Sequence, residues 1–400
     1  MLKIKRHITF GLLLFTFLTA CKKDNTVLLN DGYTIDNTLI TGNGSTSFQR
    51  IIGGHEMDVF NSVKQTVDGG FIFCGLTENE SASEMDILLY KTNSAGETLW
   101  YKLLSDTYSD QGLFIEITND NGFIIAAFSS LSSTFQQGTN YVGQLIKTDS
   151  IGNLIWRQSF TFGDFTSFRS VKQTSDGGYI VCGSELESDK GFLLKTDASG
   201  NEIWRKIFGG LVGLGSIDIT NDGGFILCGY IKTTTADPAD IYIIKTNSSG
   251  DTLWTKTYGD NSDNYAGAIK ETSSGAFILC GINANTDASG YAKLIDQNGA
   301  EIWHSDFLNS GVGSLQYITP TNDNQFIAIG TQFIGSSPDS YLIKIDGNGN
   351  KIWQKTFNFG YNNSLSEVQQ TSDNGYVIAG YLHSDLYANA LIIKTDSNGD

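Results

Sequence analysis

The chain has 400 residues, 45 of them Gly and only 3 Pro, with 24 Phe, 17 Tyr and 6 Trp. Hydrophobic residues make up 40% and charged ones 17%, below the ~25% usual in soluble domains, so a core can form and global disorder is excluded. A net charge of −17 argues against electrostatic binding to nucleic acid or to an anionic membrane surface, and the Gly- and aromatic-rich composition points to an all-β fold with many turns.

At the N-terminus, Lys3, Lys5 and Arg6 precede an apolar run from Ile8 to Ala20, too short for a permanent spanning helix. The run ends in Leu18-Thr19-Ala20-Cys21, which resembles the lipobox of bacterial lipoproteins. That resemblance implies a signal peptide over residues 1–20, cleavage before Cys21, and acyl chains such as palmitate carried by Cys21. Lys22-Lys23-Asp24 is similar to the charged stretch after the lipidated Cys in some Bacteroidetes surface lipoproteins. Residues 21–45 then read as the lipidated Cys and a flexible tether rich in Asn, Thr, Asp and Gly. Losing residues 1–20 removes three positive charges and no acids, taking the net charge from −17 to about −20. Lipid would hold this acidic protein at a membrane its charge would not seek. The expected location is the outer membrane, facing the periplasm or the cell surface.

Residues 46–400 are one unit repeated seven times. Trp100, Trp156, Trp204, Trp254, Trp303 and Trp353 recur about fifty residues apart, and Phe48 stands where a seventh would be. Four residues before each Trp is a Gly, from Gly96 to Gly349, and Gly399 stands in the unfinished last copy. A second block, such as Gln173-Thr174-Ser175-Asp176-Gly177-Gly178, keeps its Thr in every copy, with Val or Ile three residues earlier. Such self-similarity is the signature of a repeat architecture. In the third copy four strands are expected, at about 170–174, 179–183, 192–196 and 202–208, joined by Gly-, Asp- and Asn-rich turns. The second and third strands are apolar at nearly every position, as in Phe225–Cys228 and Ile241–Ile244, so both faces must be buried. Blades packed between neighbours in a β-propeller provide that environment. The expected fold is therefore a seven-bladed propeller of four-stranded blades. Residues 47–52 are expected to supply the outer strand of the last blade and close the ring.

The pattern Q-T-x-D-G-G-[FY]-[IV] followed by K-T-[DN]-x-x-G-x-x-x-W resembles the tandem propeller repeats of secreted or lipid-anchored proteins in Bacteroidetes and archaea. It covers about 46–400. It is distantly similar to the tryptophan-docking repeat of quinoprotein propellers, but Asp197 lies three residues before Gly200, where that repeat has four. No quinone cofactor is expected.

Cys74, Cys182, Cys228 and Cys280 occupy one position of the second strand in different copies, which suits buried small hydrophobes and neither disulfides nor zinc. Lys91, Lys147, Lys195, Lys245, Lys344 and Lys394 recur on the third strand, with Leu294 in the fifth copy, so a structural contact to carbonyls or an Asp is expected of each. Loops such as Asp346-Gly347-Asn348-Gly349-Asn350 have a rhythm compatible with Ca2+, but they are short and double as hairpin turns. No other cofactor and no metal are implied.

Function is expected on the face carrying the variable loops. There Tyr108, Phe135, Tyr141, Phe165, Tyr265, Tyr361 and Tyr387 are interleaved with amides and hydroxyls, which suits a glycan or a protein ligand. Seam closure would also bring His55, Glu56 and Asp58 towards His383 and Asp385, a set capable of acid–base work. No nucleophile elbow, HExxH or P-loop is present. The chain therefore reads as a monomeric, non-enzymatic binding or scaffold lipoprotein. A polysaccharide hydrolase or lyase, acting at the central channel or the seam, is the enzymatic alternative. A scaffold for outer-membrane assembly is a third reading, by analogy with the lipoprotein propeller of the β-barrel assembly machinery.

Overall fold

A computed structural model describes residues 47–53, 57–79, 84–105, 109–131, 141–163, 165–185, 190–284, 289–307, 313–334, 337–359, 362–383 and 387–400, together with strands Val27–Leu28 and Thr34–Thr41. Seven antiparallel sheets form the seven blades of a β-propeller. The innermost strands are Asp58–Gln65, Asp110–Ile117, Thr166–Gln173, Leu211–Ile219, Asn264–Glu271, Gly313–Pro320 and Asn362–Gln370. The third of these begins four residues earlier than the sequence pattern suggests, because pairing resumes on the far side of a β-bulge. That bulge recurs in every blade, between Phe60 and Ser62 in the first and between Leu365 and Glu367 in the seventh.

Ring closure follows the expected route. Phe48–Gly53 pairs antiparallel with Ala388–Thr395 and completes the seventh blade. Thr34–Thr41 pairs in turn with Phe48–Gly53. The seam is packed like a domain interior: Phe48, Ile52, Phe60, Phe71, Phe73 and Ile392 share one cluster.

Two devices recur and explain the repeat. In the first, a threonine hydroxyl donates to the Asp two residues on, as from Thr174 Oγ1 to Asp176 Oδ1 at 2.6 Å, while the Gly178 N–H donates to the same oxygen at 3.0 Å. The third-strand lysine spans back to that carboxylate: Lys195 Nζ lies 2.9 Å from Asp176 Oδ2 and donates to the Thr196 carbonyl at 2.9 Å. Six blades carry the Lys–Asp pair. The fifth has Leu294 and Ser274 instead, so both partners are replaced together. In the second device, each Trp packs against the left-handed Gly of the next blade's outer hairpin. A Cβ at Gly200, where φ is +80°, would lie 2.6 Å from the Trp156 ring. Each Trp also packs, tilted or edge-on, against an aromatic ring of the next blade with centroids 5.8–6.4 Å apart, and Phe48 does the same with Phe71 at 6.3 Å across the seam. Phe48 is thus the seventh member of the Trp series.

The four described cysteines are buried and free, and burial pushes the Cys182 thiol up to about 12. In the Asp346 loop the carboxylate accepts N–H bonds from Asn348, at 2.9 Å, and from Asn350, at 2.8 Å. Its side chain closes a turn on itself, and the equivalent Asp149, Asp197, Asp296 and Asp396 do the same.

Candidate functional site

The recurrent bulge decides what faces the axis. It pushes one extra residue per blade towards the channel: Asn61, Leu113, Arg169, Gly215, Gly267, Gln316 and Ser366. These residues line a cavity of about 450 Å3 to which all seven blades contribute. Tyr230 and Tyr265 complete its wall as a T-shaped pair with centroids 5.3 Å apart. The inner strands run from the variable-loop face towards the Asp-Gly-Gly turns, so this cavity is the channel mouth on the variable side.

Deeper along the same strands lies a belt of charge. Lys64, Glu116, Lys172, Asp218 and Lys270, from five successive blades, alternate in sign, and Glu367 of the seventh blade joins them. Three ammonium groups thus meet three carboxylates. Lys64 Nζ lies 2.5 Å from Glu367 Oε1, with both side chains almost fully buried. The other Glu367 oxygen accepts from the Ser62 hydroxyl and from the Val63 N–H, the latter at 2.9 Å. Lys172 Nζ lies 2.5 Å from Glu116 Oε2. Burial opposes the charge of Lys172, but Glu116 and Asp218 outweigh it and raise its pKa. Burial likewise opposes the charge of Glu116, but Lys172 and Lys64 hold it below the usual carboxylate range. Lys270 has no ion pair among the described residues; its ammonium sits 5.5 Å over the Tyr317 ring, and burial lowers its pKa despite Asp218. Tyr317 is pushed well above the usual phenol value, first by burial and then by Glu367. The belt therefore closes the bottom of the mouth with internally matched charge. A carboxyl held below its usual range is poorly suited to be the general acid of a glycosidase, which needs the opposite shift.

The residues expected at the seam are only partly described: His55, Glu56 and Asp385 lie outside the described residues. Asp58 is buried at the start of the first inner strand, beside Gly53 and Asn389 of the seventh blade, and His383 is exposed at the end of a strand. Of the expected aromatic positions, Tyr108, Phe135 and Tyr361 also lie outside the described residues. Tyr141 is 7% exposed and packs on Phe165 with centroids 4.3 Å apart, and Phe128 sits against both. Tyr387 is 40% exposed. Tyr265 is the one that lines the cavity.

The belt and Arg169 are what the sequence reading missed. A signal was present: the residue after the recurrent Val or Ile runs Lys, Glu, Lys, Asp, Lys through five copies before giving way to Thr319 and Gln369. Alternating sign at a fixed position of an inner strand marks charges that can meet only at the axis.

No family model matches the chain, and no curated protein matches it. Solved structures do. A structure titled as YCF48 bound to D1 peptide superposes with a TM-score of 0.52 at 8% identity, covering 90% of this chain and 98% of that one. The β-propeller domain of the Trilobed protease from Pyrococcus furiosus gives 0.51 at 10% identity, with coverages of 86% and 97%. A protein of unknown function from Dyadobacter fermentans gives 0.51 at 8% identity, with coverages of 86% and 96%. At these identities the likeness establishes the propeller fold.

Proposed function

We propose that this chain is an extracytoplasmic binding or scaffold protein, anchored by lipid at Cys21, which presents the variable-loop end of its propeller channel to a protein ligand. The observation that carries this reading is the cavity of about 450 Å3 at the channel mouth, walled by single residues from seven blades and floored by matched charge. A pocket of that size falls within the ~300–1,000 Å3 range of ligand sites. The resemblance of the repeats to lipid-anchored propellers of Bacteroidetes and archaea supports the extracytoplasmic, outer-membrane placement. A peptide-bound propeller among the structural neighbours supports a protein ligand.

Three experiments test this. Palmitate labelling should be lost in Cys21→Ser, and protease shaving of intact cells should report which side of the outer membrane the protein faces. Crosslinked pull-down with the detergent-solubilised chain should recover a specific protein partner. Turnover on a polysaccharide panel with no partner recovered would overturn the binding reading.

A further inference from the structure

The channel mouth contains one charge without a counter-charge. Among the described arginines, Arg50 donates to the Ala95 carbonyl, Arg157 pairs with Asp110 and Arg205 pairs with Glu202. Arg169 alone has neither a hydrogen bond nor an ion pair. It occupies the bulge position of the third blade, so its guanidinium projects into the cavity, where it stays accessible to the lumen although protein surrounds it. Desolvation by that surround lowers its pKa from the usual arginine value. The carboxylate of Glu367, which lines the same cavity, does not serve it: Lys64, Ser62 and Val63 already occupy both oxygens.

The surroundings of Arg169 are built to leave space. In the next blade the bulge residue is Gly215, where an added Cβ would meet nothing within 4 Å, whereas at Gly267, one blade further on, it would fall 2.5 Å from the Gln316 carbonyl oxygen. Beside Arg169, Ser170 is 2% exposed and its hydroxyl has no partner, and across the lumen Gln316 Oε1 is also buried without a donor. Both line the cavity. A guanidinium, an unused hydroxyl and an unused amide carbonyl thus surround an open volume. They call for an anionic group followed by an N–H donor.

We propose that the channel mouth holds the C-terminal carboxylate of a peptide, with Arg169 as its counter-ion. This rests on the reading of the mouth as a ligand site. A carboxylate matches the planar fork of a single arginine, and a doubly charged phosphate would ask for more than one cation. The amide N–H groups that precede a peptide carboxylate are the donors Gln316 Oε1 lacks. An acidic sugar would need a free aromatic face, and the aromatic rings here are committed elsewhere: Tyr230 rests against Gly213 and pairs with Tyr265, while Lys64 and Lys270 sit over the rings of Phe114 and Tyr317.

The test uses the detergent-solubilised full chain and two matched fluorescein-labelled tetrapeptide pools, one ending in free carboxylates and one in amides, read by anisotropy. The acid pool should bind at least tenfold more tightly than the amide pool, and Arg169→Gln should reduce it to the amide level. Arg169 supports no other side chain, so that variant should keep the parent melting temperature. Gly215→Leu, whose side chain enters open space, should also fold and should block binding. Equal affinity for the two pools, failure of the acid pool to bind, or an acid-pool affinity untouched by Arg169→Gln would each overturn the proposal. Arg169-dependent binding of trigalacturonate without peptide binding would overturn the peptide assignment and leave the mouth a ligand site. Silence of all three probes, with no partner in pull-down, would remove both readings.

Discussion

If the ring is closed by residues 47–53, then Phe48 should behave as a core residue although the blade its strand completes lies at the other end of the sequence. Its ring is 6% exposed, packs on Phe71 at 6.3 Å, covers Gly96 and lies under the Arg50 guanidinium at 5.5 Å. Burying an aromatic ring removes roughly 150–250 Å2 from water, worth about 4–6 kcal/mol at ~25 cal/mol per Å2 as an upper bound. Measured Phe→Ala changes in cores cost about 3–5 kcal/mol. Phe48→Ala should therefore destabilise the protein by about 3 kcal/mol. Its equivalent inside the chain, Trp156→Ala, should cost a similar amount, and Leu99→Ala, at an outer-strand residue 54% exposed, should stay within ~0.5 kcal/mol. Urea unfolding followed by tryptophan fluorescence reads all three variants on one scale. A Phe48→Ala effect below ~1 kcal/mol beside a large Trp156→Ala effect would refute closure by the N-terminal strand.

Breaking the buried Lys64–Glu367 pair with Lys64→Met should cost about 3–5 kcal/mol by leaving Glu367 uncompensated, and the double variant Lys64→Met/Glu367→Met should recover much of that in the same urea assay. The carboxyls of Asp120, Asp176 and Asp222 are held at about 2, so their ion-pair stabilisation is present above the usual carboxylate pKa and lost as pH falls through about 2. Since their side chains are 57–59% exposed, solvent screening leaves each pair roughly 0.5 kcal/mol, and melting temperature should decline between about pH 4 and pH 2 with no comparable step near neutrality. The four buried thiols should stay unreactive towards a disulfide reagent until the protein unfolds, and early labelling of Cys182 would contradict its burial.

Most of the fold was legible in the sequence because each structural device is written six or seven times. The threonine before each Asp-Gly-Gly turn, the lysine on the third strand and the Gly-x-x-x-Trp spacing all proved to be contacts repeated blade by blade. Ring closure was legible because Phe48 sits in phase with the tryptophans. The channel was not legible for the complementary reason. Its mouth takes a single residue from each blade, about fifty positions apart, at the bulge where the copies disagree most, and bulges leave no compositional mark on an inner strand. The aromatic loop residues show the converse. Tyr141 and Phe165 resembled open platforms in the sequence, yet the chain folds each onto the other and leaves little of Tyr141 exposed.

Where a repeat breaks is therefore informative only once the break can be placed in space. The fifth blade departs from consensus at three positions, with Ser274 for Asp, Ala276 for Gly and Leu294 for Lys. An added Cβ at the corresponding Gly178 would fall 2.2 Å from the Thr196 carbonyl oxygen and 2.5 Å from the Lys195 ammonium, and the sixth blade has Gln325 at this position beside an intact Lys344–Asp323 pair. Ala276 and Leu294 share one apolar cluster where the other blades carry the ion pair, an exchange that needs no ligand to explain it. In the bulge series Asn61, Leu113, Arg169, Gly215, Gly267, Gln316 and Ser366, Asn61 donates to the Gly112 carbonyl and Gln316 to Ser314 and Thr331, but Arg169 has no such internal compensation. Arg169 has no hydrogen-bond or ion-pair partner in the protein, and Gly215 of the next blade leaves open the space where a side chain would lie. A charge kept partly desolvated and unpaired costs stability unless something outside the chain supplies its partner. That unpaired charge, beside the unsatisfied Ser170 hydroxyl and Gln316 carbonyl, is the reason to look for the ligand at the mouth of the channel.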